Sequence, residues 1–118
     1  MSSDSSPQFV YKIVSSAPPA VLPEPLPLSP LDEQDGFIHL STGQQIPLTC
    51  DAFFGNTSTL WVFKLNRARL ADSIKWEQGG FPHLYGTIGR QDVVAVETFE
   101  RGAGQTWADA MSASAWLE

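Results

Sequence analysis

The sequence predicts an α+β domain in which a small, strongly curved and mainly antiparallel sheet carries a few short helices. Two observations support this fold class. Short runs of β-branched and aromatic residues recur along the chain, and clusters of Gly, Pro or Asn separate them. The length of 118 residues is that of one domain. We expect a disordered N-terminus over residues 1–7 and a single domain over residues 8–118.

The strand predictions rest on these apolar runs. QFVYKIV opens the domain, GFIHLS alternates large apolar residues, and TLWVFKL, SIKWE and DVVAVETF follow in that order. We therefore expect strands at residues 8–14, 36–41, 59–65, 73–77 and 92–99, with a brief pairing at residues 85–88.

Capping residues predict the first helices. Thr42 and Gln45 form a capping-box pattern ahead of a helix that ends near residue 54, and Pro47 is tolerated only in its first turn. Asn66 is expected to cap a short turn over residues 67–72.

The tail predicts a closing helix. Trp107, Met111 and Trp116 recur at near-helical spacing, so one face of this segment is apolar. The two tryptophans could close the core of one chain or the interface of a homodimer.

A proline-rich loop is expected over residues 18–35. Its six prolines, at positions 18, 19, 23, 25, 27 and 30, forbid both a helix interior and a central strand. One interpretation is a polyproline ligand for an SH3-like partner. The other is an extended loop whose Val21, Leu22, Leu26 and Leu28 pack on the domain surface. We favour the loop because leucines are more typical of a segment that packs on its own domain than of one exposed to a partner.

Charge and cysteine content narrow the classes of partner and compartment. The net charge of −6 and the scattered basic residues argue against binding to nucleic acid. Cys50 is the only cysteine, so an intramolecular disulfide is excluded, and we expect a buried thiol in a reducing compartment, the cytosol. The chain has neither a signal-peptide pattern nor an apolar run long enough for a membrane span.

The two histidines are the candidate catalytic residues. His39 is expected on a strand that ends in Ser41 and Thr42, whose hydroxyls and free helix N–H groups favour an anion. His83 is expected on a turn stiffened by Pro82, with Tyr85 pointing the same way. Imidazoles near neutral pH can divide acid and base roles. Alternatively, each histidine serves only to pin its own backbone.

Glu77 is the candidate partner of His83. A carboxylate six residues before the histidine could orient the imidazole and stabilise its cation, or bind a ligand hydroxyl. The alternative is a solvated strand end. The CxxC and HxxxH spacings of metal sites are absent, so no metal ligands are predicted. The glycine patterns of common nucleotide loops are absent as well.

Several motifs in a fixed order resemble one protein family. YKI, DGFIHLST, WVFKL, KWE, FPHLYG and VVAVE follow one another over residues 9–99, and this order is similar to that of the domain-of-unknown-function family 952. The positions that this resemblance marks are His39, Ser41, Gln44 or Gln45, Glu77, His83, Tyr85 and Gly86. In bacterial members of the family, the stretch between the first strand and DGFIHLS resembles a helix with a Trp, whereas in this chain it is proline-rich. We therefore expect one wall of any pocket to differ here.

The resemblance implies a fold and a ligand. The family is similar in fold to the ADP-ribosyltransferases, which have a split antiparallel sheet and an NAD cleft. GFIHLS is also similar to a segment of the RNA 2′-phosphotransferases whose histidine contacts nucleotide. This likeness implies that His39 contacts a ribose or a phosphate, and it makes NAD the candidate cofactor.

Three functions are compatible with these observations. The first is ADP-ribosyl transfer from NAD, with His39 on the ribose and Arg90 as the local candidate for the pyrophosphate. The second is a cofactor-free isomerase, cyclase or hydrolase for a small molecule, in which His39 and His83 act as acid and base. Aromatic residues such as Phe81 would then shape an apolar pocket. The third is a metabolite-binding module without turnover.

Overall fold

The computed structural model describes residues 8–112 and 114–117, except for the side chain of Gln78. The disordered N-terminus expected at residues 1–7 lies outside this part of the chain. The helices and strands follow in the order β1 Phe9–Val14, α1 Pro30–Asp35, β2 Ile38–His39, α2 Ile46–Phe53, β3 Thr59–Asn66, α3 Arg67–Leu70, β4 Ile74–Glu77, β5 Phe81–Leu84, β6 Val93–Glu100 and α4 Trp107–Met111. Single turns of 3₁₀ helix lie at Ala71–Ser73, Gln78–Gly80 and Arg90–Asp92.

In the described residues the strands form two antiparallel sheets of three strands each. The first sheet has the order β1-β3-β6 and the second the order β2-β5-β4. Tyr11 and Ser41 join the two sheets through a pair of backbone hydrogen bonds of 2.8 and 2.9 Å. The prediction of an α+β fold with antiparallel strands and short helices is confirmed, whereas neither strand order closes on itself and strong curvature stays a prediction.

The first sheet is covered on both faces because its strands alternate between two apolar clusters. Val10, Phe63 and Leu65 pack towards the second sheet. Tyr11 and Val62 point the other way, towards α2 and α4. Complete burial of a large apolar side chain contributes about 1.5–3 kcal/mol. These alternating side chains therefore fix which face of β1 and β3 meets the second sheet.

The tail closes the core of the same chain. Trp107 is fully buried, and its indole N–H donates to the carbonyl oxygen of Phe54 at 2.9 Å. Trp116 lies beyond the end of α4 and packs edge-on against Tyr11 and Phe99. The predicted closing helix is confirmed, although it is shorter than expected. Because both tryptophans serve the core, the homodimer prediction no longer rests on them.

The proline-rich segment differs from the expected loop at its end, where the last six residues, 30–35, form α1. Ser29 caps this helix by accepting a hydrogen bond from the N–H of Asp32, and Pro30 occupies the first turn, where its missing N–H costs nothing. Upstream, Leu26 is buried and its N–H donates to the carbonyl of Ile88 at 2.8 Å. The packing predicted for Leu26 and Leu22 is thus confirmed, whereas it is wrong for Leu28 and Val21, which are 42% and 74% exposed.

The pairing expected at residues 85–88 is wrong, and so is the turn expected at His83. His83 lies instead in β5, the central strand of the second sheet, which spans Phe81–Leu84 and ends before residue 85. In a strand, the N–H and C=O positions of one residue lie on the same side, and those of Pro82 face β2. Pro82 is tolerated because β2 ends at His39, so the missing N–H removes no hydrogen bond between the two strands. The carbonyl of Pro82 accepts from the N–H of Leu40 at 3.1 Å, just beyond the end of β2.

The hydrogen bonds predicted between Thr42 and Gln45 form, but they lie one turn ahead of the helix, whose N-cap is Gln45 and not Thr42. The side-chain oxygen of Gln45 accepts from the N–H of Thr42 at 2.9 Å, and the Thr42 hydroxyl accepts from the N–H of Gln45 at 3.3 Å. The helix itself begins at Ile46. Asn66 caps α3 by accepting from the N–H of Arg69 at 3.3 Å. In the part of the chain that the structure describes, no helix is long and apolar enough to cross a membrane.

Candidate functional site

The two histidines lie directly opposite each other on neighbouring strands. His39 of β2 is in register with His83 of β5, and the adjacent pair Ile38 and Leu84 points into the core. The two imidazoles therefore project from the same face, with ring centroids 5.6 Å apart and planes at 66°. The predicted alternation of Ile38 and Leu40 against His39 is confirmed, since both apolar residues are buried.

Two carboxylates hold the ring of His39. Its Nδ1 lies 2.7 Å from Oδ1 of Asp32, and its Nε2 lies 2.9 Å from Oδ2 of Asp35. Asp32 and Asp35 are both on α1, and Gly36 ends this helix with a φ of 81°, which lets the chain turn directly into β2. An ionised carboxylate only accepts hydrogen bonds, so whichever nitrogen of this ring carries a proton donates it to the carboxylate beside it.

Asp32 is the buried centre of this arrangement. It is 1% exposed, its Oδ2 accepts from Nζ of Lys12 at 2.6 Å, and its Oδ1 also accepts from the backbone N–H of His39 at 3.1 Å. Burial by itself raises the pKa of this carboxyl, but the hydrogen bonds from Lys12 and His39 outweigh burial and lower the pKa below its ordinary value. Asp32 is therefore held as the anion.

His83 has a carboxylate partner of its own. Its Nδ1 lies 2.8 Å from Oε1 of Glu77, and the same oxygen accepts from the hydroxyl of Tyr85 at 2.7 Å. The hydrogen bonds from Tyr85 and His83 lower the pKa of Glu77, and the bond to Glu77 raises the pKa of Tyr85. The geometry predicted for Glu77 beside the imidazole is confirmed. Within the described residues, Nε2 of His83 has no hydrogen-bond partner.

Phe37 covers the histidine pair. Its ring stacks on His83 with centroids 4.2 Å apart and planes at 25°, and it lies 4.6 Å from His39 and 5.2 Å from Tyr85. Phe37 directly precedes β2 and stands two residues before His39, so the two side chains share a face. The aromatic ring restricts water on this side of both imidazoles.

A cavity of ≈ 940 Å³ opens beside the pair. His39, His83, Ser41 and Phe81 lie in its wall, as does the buried ion pair of Lys12 and Asp32. The facing wall is the proline-rich segment, from Ser15 to Leu31. This volume is in the range typical of small-molecule sites.

The structure separates the remaining predicted ligand-binding residues from the cavity. Thr42 and Gln45 bond each other, and Gln45 also donates to the carbonyl of Gly80 at 3.1 Å. Tyr85 is engaged with Glu77. None of these three is among the cavity-lining residues within the described chain.

Arg90 was predicted as a ligand for pyrophosphate, and the structure gives it another place. Its guanidinium donates to the carbonyl of Leu22, and its backbone N–H donates to Oε1 of Glu24 at 2.7 Å. Both contacts anchor the proline-rich segment. Arg90 therefore shapes the far wall of the cavity and does not line it.

Sequence reasoning missed Lys12, Asp32, Asp35 and Phe37. A signal existed for Lys12, because it occupies a core-facing position of QFVYKIV between Val10 and Val14, where a charge needs a partner. The two aspartates stand seven and four residues before His39 in DEQDGFIH. A capped helical turn followed by Gly36 brings both back to the ring.

The only thiol of the chain is remote from this chemistry. Cys50 is fully buried in the cluster around Ile46 and Trp107, and burial raises its pKa to about 12, assisted by the charge of Asp51. The predicted role of Cys50 as a buried apolar side chain is confirmed. Across residues 8–112 and 114–117, His, Cys, Asp and Glu form no cluster that could hold a metal ion.

Fold and site together define a small α+β protein with a carboxylate-anchored histidine pair at the mouth of a cavity. The chain belongs to the family described as protein of unknown function (DUF952), whose model matches residues 21–96. This confirms the family resemblance.

Solved structures of protein CC0527 from Caulobacter crescentus have a similar fold. Its solution NMR structure gives a TM-score of 0.72 at 28% identity and covers 94% of this chain and 99% of that chain. Its crystal structure gives 0.68 at 29% identity and covers 86% and 90%. No curated protein matches the chain.

Proposed function

We propose that this protein is a small enzyme that moves protons on an organic molecule without a cofactor, with His39 as the acid and His83 as the base. The observation that carries the proposal is the histidine pair in register, in which each imidazole is anchored through Nδ1 to a carboxylate of its own. Anchored imidazoles keep one nitrogen aligned for proton transfer, which is how carboxylate–histidine pairs serve in catalysis.

The unequal surroundings of the two rings support the assignment of roles. His39 faces a carboxylate at each ring nitrogen, so a proton on either nitrogen has an acceptor beside it, and we assign His39 the role of the acid. Asp35 is partly exposed, and a substrate oxygen can take its place at Nε2 when its side chain turns to water. Nδ1–H of His83 donates a hydrogen bond to Glu77, and in this tautomer Nε2 carries a lone pair that can accept a proton.

The cavity does not fit the pyrophosphate of NAD. Among the lining residues in the described chain Lys12 is the one lysine or arginine, and it is already paired with Asp32. Arg90 is occupied by the proline-rich segment. Phosphates bind where cations or free helix N–H groups converge, and here the nearest charges around His39 are carboxylates. ADP-ribosyl transfer and the likeness to ADP-ribosyltransferases are therefore the weaker proposal.

The surroundings also favour proton transfer over covalent catalysis. Cys50 is remote and held as the thiol, and in the described residues neither imidazole hydrogen-bonds to the hydroxyl of Ser41. A base and an acid side by side suit isomerisation through an enol: Nε2 of His83 takes a proton from carbon, the electron pair moves to form C=C, and His39 protonates the carbonyl oxygen. The reverse step returns a proton to carbon.

The buried thiol of Cys50, which forms no disulfide, supports a reducing compartment such as the cytosol.

The test follows deuterium uptake by 2-tetralone, a bicyclic ketone with exchangeable protons beside its carbonyl, in D₂O at neutral pH by ¹H NMR. We expect exchange roughly 10²-fold faster than with free imidazole at the same concentration. His39→Gln and His83→Gln should each remove most of this acceleration. Gln34→Ala, at an exposed position on the same helix as Asp32, is the folded control and should retain it.

Direct observation of the protonation states completes the test. Long-range ¹⁵N–¹H NMR should show His83 with its proton on Nδ1, the nitrogen that faces Glu77. A proton on Nε2 of His83 in place of Nδ1, or exchange that is unchanged in His83→Gln, would refute the assigned roles. Binding without exchange would instead establish the third alternative, a non-catalytic metabolite-binding module.

A further inference from the structure

The proline-rich wall restricts what the cavity can hold. We propose that the ligand is a small, uncharged ring compound with an apolar body and a single polar end, and that its polar end meets the histidine pair while its body lies against the proline-rich segment. This inference rests on the proposed function and names the substrate class of the same site.

The wall offers mostly carbon. Its side-chain hydroxyls are those of Ser15, Ser16 and Ser29, and the oxygen of Ser29 already accepts from the N–H of Asp32. Pro18, Pro19, Pro23 and Pro27 lie in the wall, and proline carries no backbone N–H. Across the cavity, Val14, Phe63 and Ile88 present apolar side chains. A polar group on the ligand body would lose its water here without a partner, at a cost of roughly 1–3 kcal/mol.

Thr49 adds no polar contact to this wall. It lines the cavity, but its hydroxyl oxygen is shielded from solvent and has no hydrogen-bond partner in the described part of the chain. An oxygen that water does not reach is not offered to a ligand. What Thr49 presents to the cavity is therefore carbon.

The charged lining groups and the histidines converge at the other end. Lys12 contacts Asp32, Asp32 contacts His39, and His39 faces His83, so these four side chains form one contiguous group. Ser41 follows His39 by two residues and also lines the cavity. A ligand with one polar end can thus satisfy that end while it keeps its body out of water.

The wall is shaped before any ligand binds. Leu26 is anchored through its backbone to Ile88 and through its side chain to the core, and Glu24 accepts from the N–H of Arg90. Prolines have a fixed φ, so the segment between these anchors has little backbone freedom to lose on binding. A preformed apolar wall favours rigid, planar ligands over flexible ones.

The experiment compares two probes that differ only at one end. 2-Naphthol has an apolar bicyclic body with one hydroxyl, and 6-hydroxy-2-naphthoate adds a carboxylate at the far end. Binding is measured by calorimetry, and amide chemical-shift changes locate the probe. We expect 2-naphthol to bind, and the carboxylate analogue to bind at least roughly tenfold more weakly because its charge would lie against the prolines.

Two substitutions on the same segment provide matched controls. Leu28 lines the cavity and is 42% exposed, whereas Val21 is 74% exposed and is not among the lining residues. Leu28→Glu should weaken 2-naphthol binding roughly tenfold or more, and Val21→Glu should leave it within about twofold. Both positions are exposed enough for the variants to fold, which thermal unfolding would verify.

Three results would overturn the inference: no binding of 2-naphthol, equal binding of both probes, or equal loss in both variants. Failure of the proposed function is a separate outcome. If 2-naphthol binds as described while 2-tetralone does not exchange, the substrate class stands and the catalytic proposal falls. If 2-tetralone exchanges while the two probes bind equally or not at all, the catalytic proposal stands and the substrate class falls.

Discussion

Replacement of Asp32 by alanine would remove the centre of the candidate site. The side chain of Asp32 is 1% exposed and that of its partner Lys12 is 11% exposed, with 2.6 Å between Oδ2 and Nζ. Deletion of one member of a buried ion pair costs about 3–5 kcal/mol, because the remaining charge stays buried without compensation. Lys12 retains a longer contact to the carbonyl of His39, at 3.4 Å, which places the expected loss at the lower end of this range.

The assay is urea unfolding followed by tryptophan fluorescence, since Trp107 is fully buried. Asp32→Ala should lower the free energy of unfolding by about 3 kcal/mol, a large part of the 5–15 kcal/mol typical of a domain. The double variant Lys12→Met with Asp32→Ala should recover part of the loss, because it removes the stranded ammonium group. A loss below about 1 kcal/mol in Asp32→Ala, or no recovery in the double variant, would refute the account of the pair as a buried, coupled unit.

The sign of the pH dependence provides an independent check. The pKa of Asp32 is lowered in the folded protein, so below about pH 4 the unfolded chain binds more protons and stability rises with pH. The stabilisation from Asp32 is therefore present above the unfolded-state pKa and is lost as the pH falls through the folded-state pKa. Asp32→Asn should flatten this acid limb of the stability curve, and an unchanged limb would contradict the assignment.

Further predictions concern individual groups. Glu77→Gln should lower the pKa of Tyr85 towards its ordinary value, since the bond to Glu77 raises it; absorbance titration of the phenolate checks this, and an unchanged titration would contradict the contact. Cys50 should resist iodoacetamide in the native state and react on unfolding, because it is buried with a pKa of about 12; mass spectrometry measures the labelling, and rapid native labelling would be inconsistent with this burial. Gly36→Ala should cost about 1 kcal/mol in urea unfolding, since an added Cβ meets open space and only the left-handed φ of 81° is strained; a cost near zero would argue against that conformation.

Much of the fold could be predicted from the sequence because its strands carry strong local patterns. The predicted strands at residues 8–14, 59–65 and 92–99 match β1, β3 and β6 to within one residue at each end. In β1 and β3 the two faces meet different apolar clusters, so β-branched and aromatic residues fill the runs. Capping residues such as Asn66 act on their immediate neighbours, and sequence reasoning detects such short-range hydrogen bonds well.

The second sheet was harder to predict because tertiary contacts decide its strands. Pro82 reads as a turn signal, yet it lies in the central strand β5 since β2 ends beside it. The strand expected at residues 36–41 reduces to Ile38–His39, because Gly36 ends α1 and Ser41 pairs with Tyr11 of the other sheet. Neither effect leaves a periodic pattern in the sequence.

The candidate site was predicted in part for the same reason. His39, His83 and Glu77 are rare or well-placed polar residues in apolar runs, so their types pointed to a site, and the structure brings them together. Asp32 and Asp35 fall at the end of the predicted proline-rich loop. Their role depends on a capped helical turn of six residues, which composition did not indicate among so many prolines.

The junction of the two sheets has a consequence for the lifetime of the assembled site. Lys12 follows Tyr11, and His39 precedes Ser41 by two residues, so the backbone bonds between Tyr11 and Ser41 lie beside the contacts of Asp32. An opening that parts the sheets also draws Lys12 and His39 away from that carboxylate. The junction and the histidine pair then form one cooperative unit. The rate of amide hydrogen exchange at Tyr11 and Ser41 therefore measures how often the pair opens.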